Sequence, residues 1–477
     1  MNFLVSRLRV IHIPRPIIMG GIVLSTIGLG LSLGWSLTQP AGSMIVSVWA
    51  ALLYLFFLVR IPYQGMLLWL ALYPFTETNI NIPLGAGLPD LSPTRLSVAW
   101  LSTMLLAQAA VGKRHFPRLT KVDVWAFLFA AGMGASVFAS SNPISALKAA
   151  LDLIFVPMLV YYLAKNLVRS RKDLDHFFDI LLIMAFYSAI VMFYEHLTGQ
   201  VIFYHKQFSE ESLYYSGGIR IVRSLWGGPH VFGSIYAMAI PVTFYRFLRT
   251  SKGAARCLYG ALMGILLAGL FLTYKRAAWV SALVSFIVMA PFFPAFRRLF
   301  LVLIIIAGIP LAIYWNRLSE TDLVQERVNS RVDTLNGRTY RWQAAIDLWK
   351  QSPILGHGFR RFDDLSGYRA VENYYLHILV SAGLVGFVPF LCFLYLVIRE
   401  SVAIYRRAAT LPGLWVDREL IAVFWGATST YLVKAMTGAQ GAAIVNLLFY
   451  MLIGAVVGSQ GEALQASDDD LSLGERG

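Results

Sequence analysis

The sequence predicts an all-α, polytopic membrane protein with about 12–14 transmembrane helices and a large external loop containing short helices. Three observations point there. The chain is 57% hydrophobic and only 14% charged, against roughly 45–50% apolar and about 25% charged residues in soluble domains. Its apolar residues come in repeated runs of roughly 15–23, close to what a helix needs to cross a ~30 Å hydrocarbon core. Alternate connections between the runs are strongly basic, which is the pattern of cytoplasmic loops. Transmembrane barrel strands would instead alternate apolar and polar residues, and these runs do not.

Taken in order, the first run, "IIMGGIVLSTIGLGLSLGWSL", follows Arg7, Arg9 and Arg15. A signal peptide shares the basic start but has a shorter apolar core and a small-residue cleavage site, so this run reads as a retained span. Further spans are expected near 44–59, 65–76, 96–112, 124–141, 147–164, 177–197, 230–247, 257–273, 278–293, 299–315, 374–398, 420–434 and 441–458. The basic connections "KRHFPRLTK", "KNLVRSRK", "RFLRTSKGAAR", "FRRLF" and "RESVAIYRR" then face the cytoplasm. The intervening connections are short and nearly uncharged, or long and irregular, as at 74–95, 198–229 and 316–373. Residues 1–477 read as one integral membrane domain with both termini cytoplasmic, and 459–477 as a disordered acidic tail. Cys257 and Cys392 lie in or beside apolar runs and form neither a disulfide framework nor a metal spacing.

The 316–373 loop breaks the charge rule. It holds Arg327, Arg331, Arg338 and Arg341, with Arg360 and Arg361 close behind. External basic residues oppose the topological default, so something else must account for them. The stretch "GRTYRWQAAIDLWKQSPILGHG" reads as a helix started at Asn336–Gly337 and stopped at Pro353. Trp342, Ala345, Ile346 and Trp349 share one face, and Gln343, Asp347 and Lys350 the other. Arg338, one turn before Trp342, falls on the apolar face and is expected to look inward. An inward arginine needs an anion. Asp333, Asp363, Asp364 and Glu372 could supply it as an internal ion pair, or an anionic substrate could use the planar guanidinium fork.

Other external positions carry cations at span mouths. Arg220 and Arg223 precede the "GGP" turn into the span at 230–247, and Lys275 and Arg276 occupy a tight turn between two spans. Each could merely snorkel to headgroups. Converging, they would form a basic funnel suited to a lipid-linked diphosphate.

Four segments occur in order: "RSLWGGPHVFGSIYAMAIP", "YKRAAWVSALVSF", "GRTYRWQAAIDLWKQSPILGHGFRRF" and "ENYYLHILVSAGLVGFVPF". Together they resemble the O-antigen ligase and polymerase superfamily of bacterial membrane glycosyltransferases, over roughly residues 205–400. The resemblance implies a multi-pass protein of the bacterial inner membrane with a large periplasmic loop and a periplasmic active face. It implies transfer of a glycan from an undecaprenyl-diphosphate carrier to an acceptor, without cofactor, metal or nucleotide sugar. Its partners would be that lipid-linked glycan, membrane lipid, an acceptor glycan and polysaccharide-assembly proteins, with no nucleic acid. Carried over, Arg338 with Trp342, Arg276 and Arg223 are the arginine elements held to grip the diphosphate. Arg220, Lys275, Arg341 and Asn373 complete the expected substrate contacts. Ligases usually show His-Asn at the start of the last of these segments; here the pair is Glu372-Asn373. Glu372 is either the general base for the acceptor hydroxyl or an ion-pair partner of a loop arginine. Glu372, Arg276 and Arg338 are therefore the expected catalytic residues.

The departure at Glu372 tilts the reading from ligase towards a polymerase making O-antigen or exopolysaccharide. A flippase for the same lipid-linked sugars is the rival class, but it would keep functional charges near the midplane, whereas these cluster at the external rim. A scaffold of a cell-envelope complex is a third. The sequence has no Walker or Rossmann glycine pattern, no HExxH and no Cys/His cluster. "FDD" at 362–364 reads as a solvated acidic turn.

Overall fold

The computed structural model describes residues 60–77, 89–112, 119–203, 225–294, 322–359, 362–368, 371–408, 415–438 and 442–474, with isolated positions and a short strand pair between them. Over these residues the protein is helical and multi-pass. The helices are α1 (Pro62–Glu77), α2 (Pro93–Ala110), α3 (Lys121–Phe138) and α4 (Pro143–Ala150). A π-helical turn at Leu151–Phe155 joins α4 to α5 (Val156–Leu167), and α6 (Arg171–Thr198) follows. A two-residue antiparallel pairing, β1 (Tyr215–Ser216) with β2 (Ile219–Arg220), precedes α7 (Pro229–Arg249), α8 (Gly253–Leu272) and α9 (Arg276–Met289). Then come α10 (Asp322–Gln351), α11 (Phe362–Ser366), α12 (Tyr374–Arg407), α13 (Arg418–Ala435) and α14 (Ala443–Gly474).

Among the described residues, six helical segments are long and apolar enough to cross a membrane: α3, α4 through α5, α6, α7, α8 and α12. Two shorter apolar stretches, Arg276–Phe292 and Ala443–Ser459, belong to α9 and α14. The expected spans at 17–37, 44–59 and 299–315 lie wholly or mostly outside the described residues; each of the others coincides with a described helix.

Local sequence explains the boundaries. Thr120 and Asp123 form a reciprocal capping box at the start of α3. Ser170 caps α6, which ends on Gly199 in the left-handed conformation. Asp417 caps α13 through Leu420 N at 2.8 Å. At the end where α6, α7 and α13 turn, Arg171 and Arg249 both bond Asp417, and Arg246 bonds Asp175 and Asp179.

At the other end, helix α12 is broken. Gly383 has φ 57° and ψ −151°, a conformation that only glycine adopts readily. The break frees backbone groups that lipid could not satisfy, and the chain after α10 satisfies them. His357 N and Gly358 N donate to the carbonyls of Val380 and Ser381, at 2.7 and 3.0 Å. Leu384 N and Val385 N donate to Pro353 O and Ile354 O, at 2.9 and 3.1 Å. Phe359 N adds a bond to Ser136 O of α3 at 3.0 Å. Residues 353–359 are thus hydrogen-bonded into the break, with 353–355 exposed and Gly358 and Phe359 buried, and the splice fixes α10 over the start of α12.

One helix boundary differs from expectation. Helix α10 of the large loop runs 30 residues and begins at Asp322, not near Gly337. Helix-favouring residues on both sides override Asn336–Gly337, since one internal glycine costs only about 1 kcal/mol. The described backbone of α14 is helical to Gly474. Extending an existing helix needs no new nucleus, and the tail's Glu, Ala, Leu and Gln suit it.

Candidate active site

Helices α7, α9 and α12 all start at the end of the bundle that carries the splice. Each start is preceded by a non-glycine residue at positive φ: Leu225 at 60°, Tyr274 at 51° and Glu372 at 53°. Among the described residues no other non-glycine residue adopts such a φ. Left-handed backbone at a side-chain-bearing residue costs on the order of 1–3 kcal/mol and tends to persist at functional sites.

Helix α10 brings two arginines to the start of α12. Trp342 and Ala345 of the expected apolar face pack down, but Leu348 joins them in place of Ile346 and Trp349: Ala345 is fully buried with Phe362, Val371 and Val380, and Trp342 and Leu348 lie against them. Gln343, Asp347 and Lys350 are exposed on the opposite face. Arg338 and Arg341, one turn apart, reach Glu372. Arg338 Nε lies 3.1 Å from Glu372 Oε2, and Arg341 Nη1 lies 2.9 Å from Oε1. Arg341 Nε also donates to Gly337 O at 2.9 Å. The three side chains are 31%, 21% and 37% exposed, so the cluster opens to solvent. Among the described side chains, Glu372 is the acid paired with Arg338. Asp364 instead accepts a bond from Ser141 Oγ.

The tight turn before α9 supplies Lys275 and Arg276. Its shape is set from below: Lys275 N donates to Thr273 Oγ1 at 3.3 Å, and Trp279 Nε1 donates to Leu270 O at 2.7 Å. Trp279 stacks on Phe271 with ring centroids 5.3 Å apart. Helix α7 abuts this turn so closely that a Cβ on Gly233 would sit 2.6 Å from Ala278 Cβ. Tyr375 at the start of α12 donates to Leu432 O of α13 at 3.3 Å. Helices α7, α9, α12 and α13 are thereby tied together at one mouth.

Two residues at this mouth escape the sequence reading. Lys434, near the end of α13, is only 8% exposed. The charges of Lys275 and Arg338 both act on it. His230, at the start of α7, is exposed and feels the charges of Lys434 and Lys275. The available signal is a single lysine inside the apolar run 420–434, where an ionisable residue marks a functional candidate.

The other expected residues fare differently. Asn373 spends its side-chain oxygen capping α12, accepting from Tyr375 N and Leu376 N at 3.0 and 3.2 Å. Trp342 is a packing residue whose buried Nε1 has no partner among the described residues. Arg220 lies on the backbone of β2, and Arg223 falls outside the described residues.

Residues 261–391 match the family model described as O-antigen ligase. Over that stretch the chain is similar to the O-antigen ligase/polymerase superfamily. It takes in the α9 turn, both α10 arginines, Glu372 and the break in α12. The superfamily therefore covers most of the cluster, while Lys434 and His230 lie outside the matched stretch. Comparison with curated proteins gives no match. An enzyme of the O-antigen ligase/polymerase type works on lipid-linked glycans in a membrane, and a basic cluster at the mouth of a multi-pass bundle accords with that.

Proposed function

We propose that this protein is a glycosyltransferase that polymerises oligosaccharide repeats carried on undecaprenyl diphosphate, at the periplasmic side of the bacterial inner membrane. The observation that carries the reading is Glu372 shared between Arg338 and Arg341 at the bundle mouth. It joins a candidate base and candidate phosphate ligands in one open cluster.

The reaction is a displacement at an anomeric carbon. An acceptor hydroxyl loses its proton to Glu372 and its oxygen bonds to that carbon. The bond from carbon to the carrier's phosphate oxygen breaks, and the lipid diphosphate leaves with the electron pair. Negative charge grows on the leaving oxygen, where fixed guanidiniums stabilise it without reorganising. One such donor contributes about 3–4 kcal/mol. Arg276, Arg338 and Arg341 take this role, so the scheme needs no metal ion. The pairing with Glu372 uses one nitrogen of each α10 arginine, which suits a ligand exchange: phosphate oxygens draw the arginines away as Glu372 turns to the acceptor.

A ligase reading, with transfer of a finished chain to a lipid A core or a protein, is favoured by the description of the matching family. The carboxylate standing where ligases show histidine favours the polymerase. Deleting the gene and sizing the glycans left on the carrier tests both. Single repeats are expected; long unattached chains would establish the ligase, and repeats stranded on the inner leaflet would establish a flippase.

A further inference from the structure

Helix α13 brings an unusual charge to the mouth. Thr430 fixes the depth of this helix where three helices meet. Its hydroxyl lies 3.4 Å from Ala237 O of α7, 3.4 Å from Ser281 O of α9, and 3.2 Å from Gly426 O of its own helix. One turn further out, on the same face, stands Lys434. At 8% exposure it is more than nine-tenths buried, and its ammonium has no partner among the described residues.

Lys165 is the instructive contrast. Its side chain is 1% exposed, and its ammonium is bonded to the buried carboxylate of Asp123. A buried ammonium is costly unless paired, and Lys165 obeys that rule. Lys434 does not. The charged groups acting on it are Lys275 and Arg338, both cationic. The carboxylate at this mouth, Glu372, is engaged by Arg338 and Arg341. A fold that sets a largely buried lysine in the field of two further cations is arranged for an anion from outside.

We propose that Lys434 is a carrier-binding residue: with Lys275 and Arg338 it forms an inner anion site that takes a phosphate of the lipid diphosphate. This rests on the transferase reading above and adds to it a cation from α13, beyond the matched family stretch. Lysine suits the position, because a compact ammonium with three donors can serve phosphate oxygens approaching from different directions.

The test uses the full-length protein in nanodiscs, with undecaprenyl diphosphate as the probe, and compares Lys434→Met, Lys434→Arg and Arg338→Ala with wild type. Lys434→Met is expected to bind the probe at least tenfold more weakly, with Lys434→Arg retaining most of the affinity. Without added lipid, the Tm of Lys434→Met is expected to equal or exceed that of wild type, since an apolar side chain of similar length replaces an unpaired buried charge. Unchanged probe binding by Lys434→Met would overturn the assignment. So would a Tm that falls without lipid, because the lysine would then be a structural pin. If wild type and Arg338→Ala bind the probe equally poorly, the transferase reading itself fails, an outcome distinct from either of those.

Discussion

Arg341 holds the oxygen of Glu372 that Arg338 leaves free: Nη1 lies 2.9 Å from Oε1, while Arg338 Nε lies 3.1 Å from Oε2. The carboxylate is therefore neutralised from both sides, yet none of the three side chains is deeply buried. Ion pairs with this exposure contribute little, about 0–1 kcal/mol. An arriving phosphate competes on favourable terms, since it offers more acceptor oxygens and more charge than one carboxylate.

That competition gives a prediction with two signs. Glu372→Gln removes the negative charge that occupies the arginines, so carrier affinity should rise by a few-fold. It also removes the base, so transfer should fall by roughly 100-fold or more, within the range for general base catalysis. Carrier binding and single-turnover transfer, measured on the same preparation, check both. Parallel loss of binding and transfer would mean that Glu372 acts as a structural tie.

Arg276→Ala and Arg338→Ala should each abolish polymer while the protein inserts and accumulates normally. Loss of one preorganised donor costs about 3 kcal/mol of transition-state stabilisation, or on the order of 100-fold in rate. Loss of the Arg338 pair costs far less in stability, because the pair is solvent-screened. Polymer length on gels, beside the amount of protein in the membrane, separates the two effects. Normal chain lengths in either variant would remove that arginine from the site.

The splice between Gly383 and the strap at 353–359 should tolerate substitution poorly. A Cβ on Gly383 would lie 2.4 Å from Ile354 O, and one on Gly356 would lie 2.6 Å from the carbonyl carbon of Ser381. Both glycines also have positive φ. Gly383→Ala combines a backbone clash with strain and should destabilise by at least about 3 kcal/mol. A sharp fall in monodisperse, detergent-extracted protein is the expected outcome. A variant with wild-type Tm would mean that the α12 break relaxes freely.

Some of this site is legible in the sequence and some is not, for physical reasons. The inward aim of Trp342 and Ala345 on α10 follows from the helical period, which also aims Arg338, whereas Leu348 packs in place of the expected Ile346 and Trp349. The identity of its partner does not follow, because Glu372 comes within reach only through the 353–359 splice. The splice is hidden in turn: "SAGLVGF" looks like any apolar span, in which glycine is common. Lys434 is visible as a lone charge in an apolar run, but its lack of a partner is a property of three helices meeting. Asp123 and Lys165 show the same blindness in reverse. They sit near the edges of separate runs, and nothing local says that they pair.

That buried pair carries the last prediction. Asp123 accepts from Lys165 Nζ and, at 2.6 Å, from Tyr161 Oη, while also bonding the Thr120 backbone at 2.6 Å. Asp123→Ala strands the Lys165 ammonium at 1% exposure and should destabilise by about 3–5 kcal/mol, the usual range for breaking a buried pair from one side. Adding Lys165→Met removes the stranded charge and should restore much of that loss, leaving mainly the missing cap and the tyrosine bond, at ~1–2 kcal/mol together. A double-mutant cycle on thermal unfolding measures the coupling. The sign matters more than the size, because a double variant less stable than Asp123→Ala alone would show that Lys165 has another anion to turn to. Activity per folded molecule should not change in the double variant, since the pair lies at the opposite end of the bundle from Glu372.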